Sequence, residues 1–385
     1  MDWKEALFDV LGDADNAFDR LKLRLDERLG RARIQMIAFN GYGSTGLLTL
    51  KGLVIEDKGV QAGSDRDTLW RNLDNMYRRF ASVEVPNALV AATAAGVTQQ
   101  VRTDSNGYFE VNIMPQAPLP DQAWHPATLS LLEPARAAPL QSTGLILIPP
   151  ASAAFGVISD IDDTVVISDA PHLLRMARLV FLSNAHARLP FPGVAALYRA
   201  LHRGVGSQTG NPIFYVSSSP WNLYDLLSDF FALQDIPAGP FFLREWNETA
   251  QEGLPTEHRR HKLSVIARLL ARYPTLPFIL LGDSGQTDPE IYTEVALRYA
   301  DRIRAVYIRD VSRSAQRAAA IAEMARAVTA AGSTMMLAAD SLTIAQHLAA
   351  QGLIATDALA SVAASKAQDE ALPDDIDRLL DLGDD

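Results

Sequence analysis

Apolar and polar residues alternate along the chain with a period that changes near residues 31, 151 and 354. Residues 3–29 carry one apolar stripe at helical spacing, which predicts an N-terminal amphipathic helix over residues 1–30. This helix is expected to pack on its own protein. Binding to a membrane surface is the alternative, although the polar face carries more acids than bases. The stripe consists of Leu7, Val10, Ala14, Ala17, Leu21 and Leu25.

Residues 31–150 contain short runs typical of β-strands, such as "RIQMIAF", "LLTLKGLVI" and "TGLILIP". They predict a small β-sandwich domain, interrupted by one helix at "DTLWRNLDNMYRRFAS". The pair Asn106-Gly107 in "TDSNGYFEV" predicts a β-hairpin, because these residue types tolerate the positive φ angles of a tight turn. His, Asp and Ser form no catalytic spacing in this region, so the sequence assigns it no function.

Residues 151–353 alternate fully apolar runs with amphipathic helical stretches. This pattern predicts an α/β fold, a parallel sheet with helices on both faces. In such sheets ligands bind beyond the carboxyl ends of the strands. Residues 354–385 are rich in alanine and then in aspartate, which predicts an acidic C-terminal tail. The expected strands are "FGVIS", "IFYVS", "PFFLRE", "FILLGD", "AVYIRD" and "STMMLA".

Acidic and hydroxyl side chains stand where three of these strands end. Asp160 and Asp162 follow the first strand in "DIDDT", Ser217 follows the second and Asp283 the fourth. Two carboxylates two residues apart project to the same side of an extended chain and repel unless a cation or a proton lies between them. Mg²⁺ suits such a site because it prefers oxygen ligands. An acidic turn without a metal is the open alternative.

Three further segments add candidates. Ser219 and Pro220 in "YVSSSPW" predict a helix N-cap, and free N–H groups at a helix start form a phosphate cradle. Ser217 and Ser218 are not needed for that cap. Lys262 shares a helical stripe with apolar residues, whereas a solvated lysine favours the opposite face. Asp288 stands at the start of the helix that follows Asp283. It is a candidate site residue, and the alternative is that it only caps this helix.

Composition limits the classes of function. With 385 residues, 48% of them hydrophobic, the chain is expected to be a soluble protein of two domains. It contains no cysteine, its longest apolar run is too short to cross a bilayer, and no basic leader precedes an apolar core. These features favour a cytoplasmic location, with peripheral membrane contact left open. A net charge of −11 argues against nucleic acid as a partner.

The motifs "DIDDT", "YVSSSPW", "HKLSVI", "LLGDSGQTDPEIY" and "AVYIRDV" together resemble the haloacid-dehalogenase-like phosphohydrolases. More closely, they resemble the actin-patch-associated, Mg²⁺-dependent phosphatidate phosphatases of fungi and their bacterial relatives, over about residues 150–350. Lipin-type phosphatidate phosphatases share the aspartates but typically have glycine where this chain has Asp163. The resemblance implies a haloacid-dehalogenase-like Rossmannoid sheet, and hydrolysis of phosphatidate to diacylglycerol and phosphate.

The resemblance also implies roles for individual residues. Asp160 is similar to the nucleophile that becomes an aspartyl-phosphate, and Asp162 to the acid that protonates the leaving alcohol and then activates water. Ser217 and Lys262 are similar to residues that contact the transferring phosphoryl group.

The same resemblance implies a Mg²⁺ site and a supporting set. Asp283 is similar to the metal ligand, joined by the Asp160 carboxylate and the Asp162 backbone carbonyl. Thr164, Ser218 and Asp288 are expected to support this arrangement.

The substrate is less constrained than the chemistry. The segment "APHLLRMARLVFLSNAHARLPF" mixes Arg175, Arg178 and Arg188 with apolar residues, which suits a cap over an anionic, partly apolar substrate. The same mixture suits an ordinary amphipathic helix. Three interpretations therefore stay open: a phosphatase for an anionic phospholipid, a phosphatase for a soluble phosphomonoester, and a scaffold that acts through its β-domain.

Overall fold

A computed structural model provides the structure of the protein and describes seven stretches of the chain, which form two compact units divided between Ala151 and Ser152. Asn222–Leu226 belong to the first unit. The predicted helices over residues 1–30 and 67–82 lie outside the described residues, as do Arg175, Arg178 and Arg188. The described residues are 34–56, 84–136, 138–162, 164–165, 191–206, 210–244 and 255–371.

The first unit is built on one eight-stranded sheet in the order β1-β3-β2-β8-β7-β4-β5, with β6 paired to β3. All pairs are antiparallel except β2 with β8. Buried residues from strands far apart in this order, such as Met36, Val90 and Ile146, share one core. The structure therefore shows a mainly antiparallel β region on one continuous sheet with a common core, and the β-sandwich stays a prediction. Its strands are β1 Ile34–Ala38, β2 Gly41–Ser44, β3 Leu47–Glu56, β4 Leu89–Ala94, β5 Val97–Arg102, β6 Tyr108–Ile113, β7 Trp124–Glu133 and β8 Leu140–Leu147.

A turn forms between β5 and β6 with a positive φ at Gly107 but not at Asn106, and the predicted hairpin is wrong. Gly107 has a φ of 76°, and the Asp104 carboxylate accepts hydrogen bonds from the N–H groups of Asn106 and Tyr108. However, β5 pairs with β4, and β6 pairs with β3. The turn depends on neighbouring residues only, whereas the pairing of the strands depends on which of them is buried. Here β6 is mostly buried and β5 is mostly exposed.

The second unit contains a six-stranded parallel sheet in the order β11-β10-β9-β12-β13-β14. All six strands that the apolar runs predict are confirmed. The central strands β9 and β12 are buried along their whole length, as strands covered on both faces are. The strands are β9 Gly156–Asp160, β10 Ile213–Pro220, β11 Phe241–Arg244, β12 Phe278–Asp283, β13 Ile303–Arg309 and β14 Met335–Ala338.

Helices connect these strands and fall into two groups. Helices α1, α6 and α7 contact one another, and α3 and α5 both contact α4. Crossovers between parallel strands are right-handed in nearly all proteins, so crossovers that run in opposite directions along a sheet place their helices on opposite faces. The crossover from β9 to β10 runs one way along this sheet and that from β12 to β13 runs the other way. The helices are α1 Val194–Arg203, α2 Tyr224–Leu233, α3 Pro255–Arg272, α4 Asp288–Arg298, α5 Ala315–Ala330, α6 Ser341–Ala350 and α7 Ala358–Glu370. None of the helices described has both the length and the apolar character needed to cross a bilayer.

The direction of winding reverses between β9 and β12. Counted along the chain, the strand order is 3-2-1-4-5-6, so the chain leaves β9 towards β10 and later returns to β12 on the other side. A crevice opens beyond the carboxyl ends of the strands at such a reversal, and ligands bind there in doubly wound sheets. Asp160 ends β9 and Asp283 ends β12. The topology therefore brings the two predicted acids to one place.

The segment expected to be a tail from residue 354 is instead a packed helix over Ala358–Glu370. Val362 is fully buried, and the Asp369 carboxylate accepts a hydrogen bond from the N–H of Gly193 at 2.7 Å. Lys366 forms an ion pair with Asp340 at the start of α6. The prediction of a tail is wrong over this helix. The few residues that anchor the helix stand among many alanines, so the sequence shows no clear apolar stripe. Residues 372–385 lie outside the described part.

Candidate active site

Asp160 and Asp162 are both buried at the end of β9, and they have different partners. An Asp160 oxygen, Oδ1, lies 2.6 Å from Nζ of Lys262. The other, Oδ2, is buried and has no hydrogen-bond partner among the described residues. The Asp162 carboxylate accepts hydrogen bonds from Ser217 and Ser219. One carboxylate is thus held by a cation and the other by hydroxyl groups.

Two serines in the last half of β10 contact the Asp162 carboxylate. Ser217 donates to Asp162 Oδ2 at 2.5 Å, and Ser219 donates to Oδ1 at 3.3 Å. A 3-10 turn over Trp221–Leu223 follows Pro220 and leads into α2, but the predicted N-cap is wrong, because the Ser219 hydroxyl donates to Asp162. The N–H of Ser219 instead donates to the oxygen of Ser217 at 2.8 Å. Sequence reasoning therefore missed Ser219 as a site residue, although its position two residues after Ser217 was a usable signal.

Two supporting residues have unpaired hydroxyl groups. Oγ of Ser218 and Oγ1 of Thr164 are buried and have no hydrogen-bond partner among the described residues. Both lie within two residues of a site aspartate or serine along the chain. Because buried hydroxyls are normally paired, these two are candidates to contact a bound ligand.

Lys262 lies two turns inside α3, which begins at Pro255. Its side chain is only 3% exposed, and its apolar stripe of Ile266, Leu270 and Tyr273 is buried as predicted. Nζ contacts Asp160 Oδ1 at 2.6 Å and donates to Asp288 Oδ1 at 2.5 Å. Burial alone would lower the pKa of Lys262, but the two carboxylates outweigh it and raise that pKa.

Asp283 and Asp288 are joined through the loop after β12. Oδ1 of Asp283 accepts hydrogen bonds from the N–H groups of Gly285 at 2.6 Å and Gln286 at 2.9 Å. The N-cap of α4 is Thr287, so capping does not explain Asp288. Its carboxylate accepts from Lys262 and, at 3.4 Å, from the N–H of Asp283. Asp288 therefore belongs to the cluster as a charge partner of Lys262.

The acids form a group that fits a divalent cation. One carboxylate oxygen each of Asp160, Asp283 and Asp288 lies within 4.8 Å of the others, and all three side chains are buried. Oδ2 of Asp160 and Oδ2 of Asp283 have no hydrogen-bond partner among the described residues. Hard cations such as Mg²⁺ prefer this all-oxygen donor set. The side chain of Asp288 joins this group, whereas that of Asp162, expected to contribute only its backbone carbonyl, points to serines.

Burial shifts two of the carboxyl groups, those of Asp160 and Asp283, towards protonation. Burial raises the pKa of Asp160 well above its ordinary value; Lys262 opposes this shift and Asp288 adds to it. Burial, followed by the Asp288 carboxylate, raises the pKa of Asp283 to about 7. A cation bound beside a buried carboxyl group stabilises its ionised form and so lowers its pKa.

Gly282 of β12 lies so close to Asp288 that the structure leaves no room for a side chain at this position. A Cβ at this position would lie 2.5 Å from Asp288 Oδ2 and 2.7 Å from Cε2 of Tyr292. We expect Gly282→Ala to displace Asp288 and to destabilise the protein by about 1–3 kcal/mol, as overpacking does. Urea denaturation measures this loss.

Gly46→Ala is the matched control, because a Cβ there has no heavy atom within 4 Å. Its free energy of unfolding should stay within about 0.5 kcal/mol of the wild type. Equal stability of the two variants would contradict tight packing around Asp288.

Known proteins are similar to the segment of the chain that carries the acidic cluster. Residues 155–310 match the family described as "Phosphatidate phosphatase APP1, catalytic domain". The protein named "Phosphatidate phosphatase APP1" from Saccharomyces cerevisiae is 36% identical over 160 residues, which cover 41% of this chain and 26% of the yeast protein. The two matches support a phosphatase enzyme related to the phosphatidate phosphatases.

A second curated relative has no assigned activity. It is an uncharacterised protein of Schizosaccharomyces pombe, 29% identical over 159 residues, which cover 40% of this chain and 25% of that protein. This chain therefore spans about a quarter of the length of the curated relatives it matches. The similarity concerns the segment that carries the acidic cluster.

Solved structures align only weakly. A carbohydrate acetylesterase from Xanthomonas citri aligns with a TM-score of 0.25 and 12% identity, over 69% of this chain and 66% of that chain. A bacterial ice-binding adhesin aligns with a TM-score of 0.19 and 14% identity, over 33% of this chain and 34% of that chain. Scores this low assign neither a fold nor a function.

Proposed function

We propose that the protein is a Mg²⁺-dependent phosphomonoester hydrolase with a haloacid-dehalogenase-like catalytic unit, and that its substrate is phosphatidate. The observation that carries the proposal is Oδ2 of Asp160, a buried oxygen with no hydrogen-bond partner among the described residues, in a carboxylate that contacts the ammonium of Lys262 and lies beside Asp283 and Asp288. A buried carboxylate oxygen left unpaired is costly in a purely structural site. The same oxygen is accounted for if it attacks the substrate or binds a cation.

Asp160 is proposed as the nucleophile. Lys262 holds Oδ1, which leaves Oδ2 to attack phosphorus. The new Oδ2–P bond forms as the bond from phosphorus to the alcohol oxygen breaks, and Asp162 protonates the departing oxygen. Water then attacks the aspartyl-phosphate, Asp162 accepts a proton from it, and the Oδ2–P bond breaks to release phosphate. Covalent capture in this way divides one difficult displacement into two.

Ser217 and Ser219 orient the general acid. Their hydroxyls donate to the two oxygens of Asp162 and so fix the rotation of its carboxyl group. A proton donor must lie within hydrogen-bond reach of the leaving oxygen, and a fixed carboxyl meets this requirement better than a rotating one. Ser217 is also proposed to donate to the phosphoryl oxygens once substrate arrives.

The charge balance explains the need for a metal. When ionised, Asp160, Asp162, Asp283 and Asp288 together with Lys262 carry a formal charge of −3 in a buried site. A phosphomonoester brings nearly two further negative charges. Asp160, Asp283 and Asp288 offer the oxygens that would hold Mg²⁺, with the Asp162 carbonyl as a further predicted ligand. A bound divalent cation supplies the electrostatic screening that lets the anionic substrate approach the carboxylates.

The lipid substrate rests on the relationship to phosphatidate phosphatases, and a direct comparison of substrates tests it. Phosphate release is measured from phosphatidate in detergent micelles and from a panel of soluble phosphomonoesters, each with Mg²⁺ and with EDTA. We expect release from phosphatidate that requires Mg²⁺ and soluble esters at least about tenfold slower, since remote contacts contribute to turnover. Turnover of one soluble ester without lipid turnover would overturn the lipid substrate, and no release from any substrate would favour the scaffold.

A further inference from the structure

Arg317 connects helix α5 to the loop that follows β12. Its Nε donates to the carbonyl of Ser284 at 2.9 Å, and Nη2 donates to the carbonyl of Gln286 at 2.7 Å. The same guanidinium binds the two carboxylate oxygens of Glu290 in the first turn of α4. One side chain therefore joins α5, α4 and the loop that carries the donors to Asp283.

The contact with Ser284 reaches Asp283 through a single peptide group. The Ser284 carbonyl and the Gly285 N–H belong to the same planar peptide. Arg317 donates to its oxygen, and its N–H donates to Asp283 Oδ1 at 2.6 Å. A cation on the oxygen side fixes the plane of this peptide and polarises its N–H. The loop thereby holds Oδ1 of Asp283, whereas Oδ2 has no hydrogen-bond partner within the part of the chain that the structure describes.

Glu290 holds the guanidinium in this orientation. Nη1 and Nη2 of Arg317 each donate to a different carboxylate oxygen of Glu290. A bidentate pair between arginine and a carboxylate fixes direction as well as distance, which a lysine cannot do. Arg317 and Glu290 are partly buried, with side-chain exposures of 23% and 35%. The pair is therefore more constrained than a fully solvated one.

We infer that Arg317 is a positioning residue for the metal site, which sets the affinity for the divalent cation by fixing the loop donors to Asp283. The inference rests on the proposed function, because it assumes that the cation binds at the acidic cluster. Among the described residues, Arg317 donates hydrogen bonds to Ser284, Gln286 and Glu290 and none to Asp160, Asp283 or Asp288. Outer partners of metal ligands typically change metal affinity about 10–100-fold when removed.

Isothermal titration of the whole chain with MgCl₂, without substrate, tests this inference. We expect Arg317→Met to weaken Mg²⁺ binding about 10–100-fold, because the Ser284 and Gln286 carbonyls lose their donor. Arg317→Lys should recover only part of the affinity, since one ammonium cannot reproduce the planar fork. In assays, the Mg²⁺ concentration for half-maximal rate should rise, while the rate at saturating Mg²⁺ stays within a few fold.

Arg326→Met is the matched control on the same helix. Arg326 pairs with Glu323 one turn away, and both side chains are about two-thirds exposed. Its Mg²⁺ affinity should equal that of the wild type. If folded Arg317→Met also binds Mg²⁺ with wild-type affinity, the inference is wrong while the proposed function stands.

Glu290→Gln covers the case in which Arg317→Met does not fold. This variant keeps Arg317 but weakens the carboxylate that orients it, so we expect about a three- to tenfold loss of Mg²⁺ affinity. Unchanged affinity in this variant would overturn the inference. A wild-type chain that binds no Mg²⁺ would overturn the proposed metal dependence and the inference with it.

Discussion

Asp160→Asn is expected to reduce phosphate release by about 10⁴-fold or more, because it removes the atom proposed to attack phosphorus. An amide oxygen is a far weaker nucleophile than a carboxylate oxygen, and Asp162 cannot replace it from its position among the serines. The fold should persist, since asparagine has nearly the same shape and Lys262 keeps its hydrogen bond to Asp288. Initial rates with the best substrate of the wild type measure the effect.

Asp301→Asn provides the control for Asp160→Asn. This variant has the same substitution, aspartate to asparagine, at an exposed position before β13. Its rate should stay within about twofold of the wild type, and circular dichroism should show both variants folded. Substantial turnover by folded Asp160→Asn would exclude the covalent mechanism through Asp160.

Lys262→Met is expected to lower both stability and activity. Lys262 is the single cation in contact with the Asp160 and Asp288 carboxylates among the described residues, and its side chain is 3% exposed. Removing one partner of a buried ion pair leaves uncompensated charge and typically costs about 3–5 kcal/mol. Urea denaturation in EDTA measures this loss. Activity should also fall about 10²-fold or more, because charge on the phosphoryl group is no longer neutralised.

Lys366→Met separates this effect from the general cost of losing a lysine. Lys366 pairs with Asp340 between α7 and α6, but its side chain is 24% exposed. We expect a loss of about 1 kcal/mol or less and no change in rate. Similar losses of stability in the two lysine variants would show that the buried cluster does not depend on the Lys262 charge.

The predictions from sequence succeeded where the signal was local. Strands buried on both faces appear as continuous apolar runs, so all six strands of the parallel sheet could be found. Asp160, Ser217 and Asp283 were located because polar residues at the ends of such runs are conspicuous. The hairpin after β5, the N-cap at Ser219 and the C-terminal tail were wrong, because each depended on contacts with distant segments.

The sequence by itself pointed to most of the residues proposed for the chemistry and to the strand or helix that carries each of them, although it missed Ser219. Tertiary structure alone decided their partners. It places β12 beside β9 and so brings Asp283 to Asp160, pairs Lys262 with Asp160 and Asp288, and turns Ser219 towards Asp162. It also directs Arg317 to the loop after Asp283. These choices depend on the burial of charge, whose cost is set by groups far apart in sequence that become neighbours only in the folded chain.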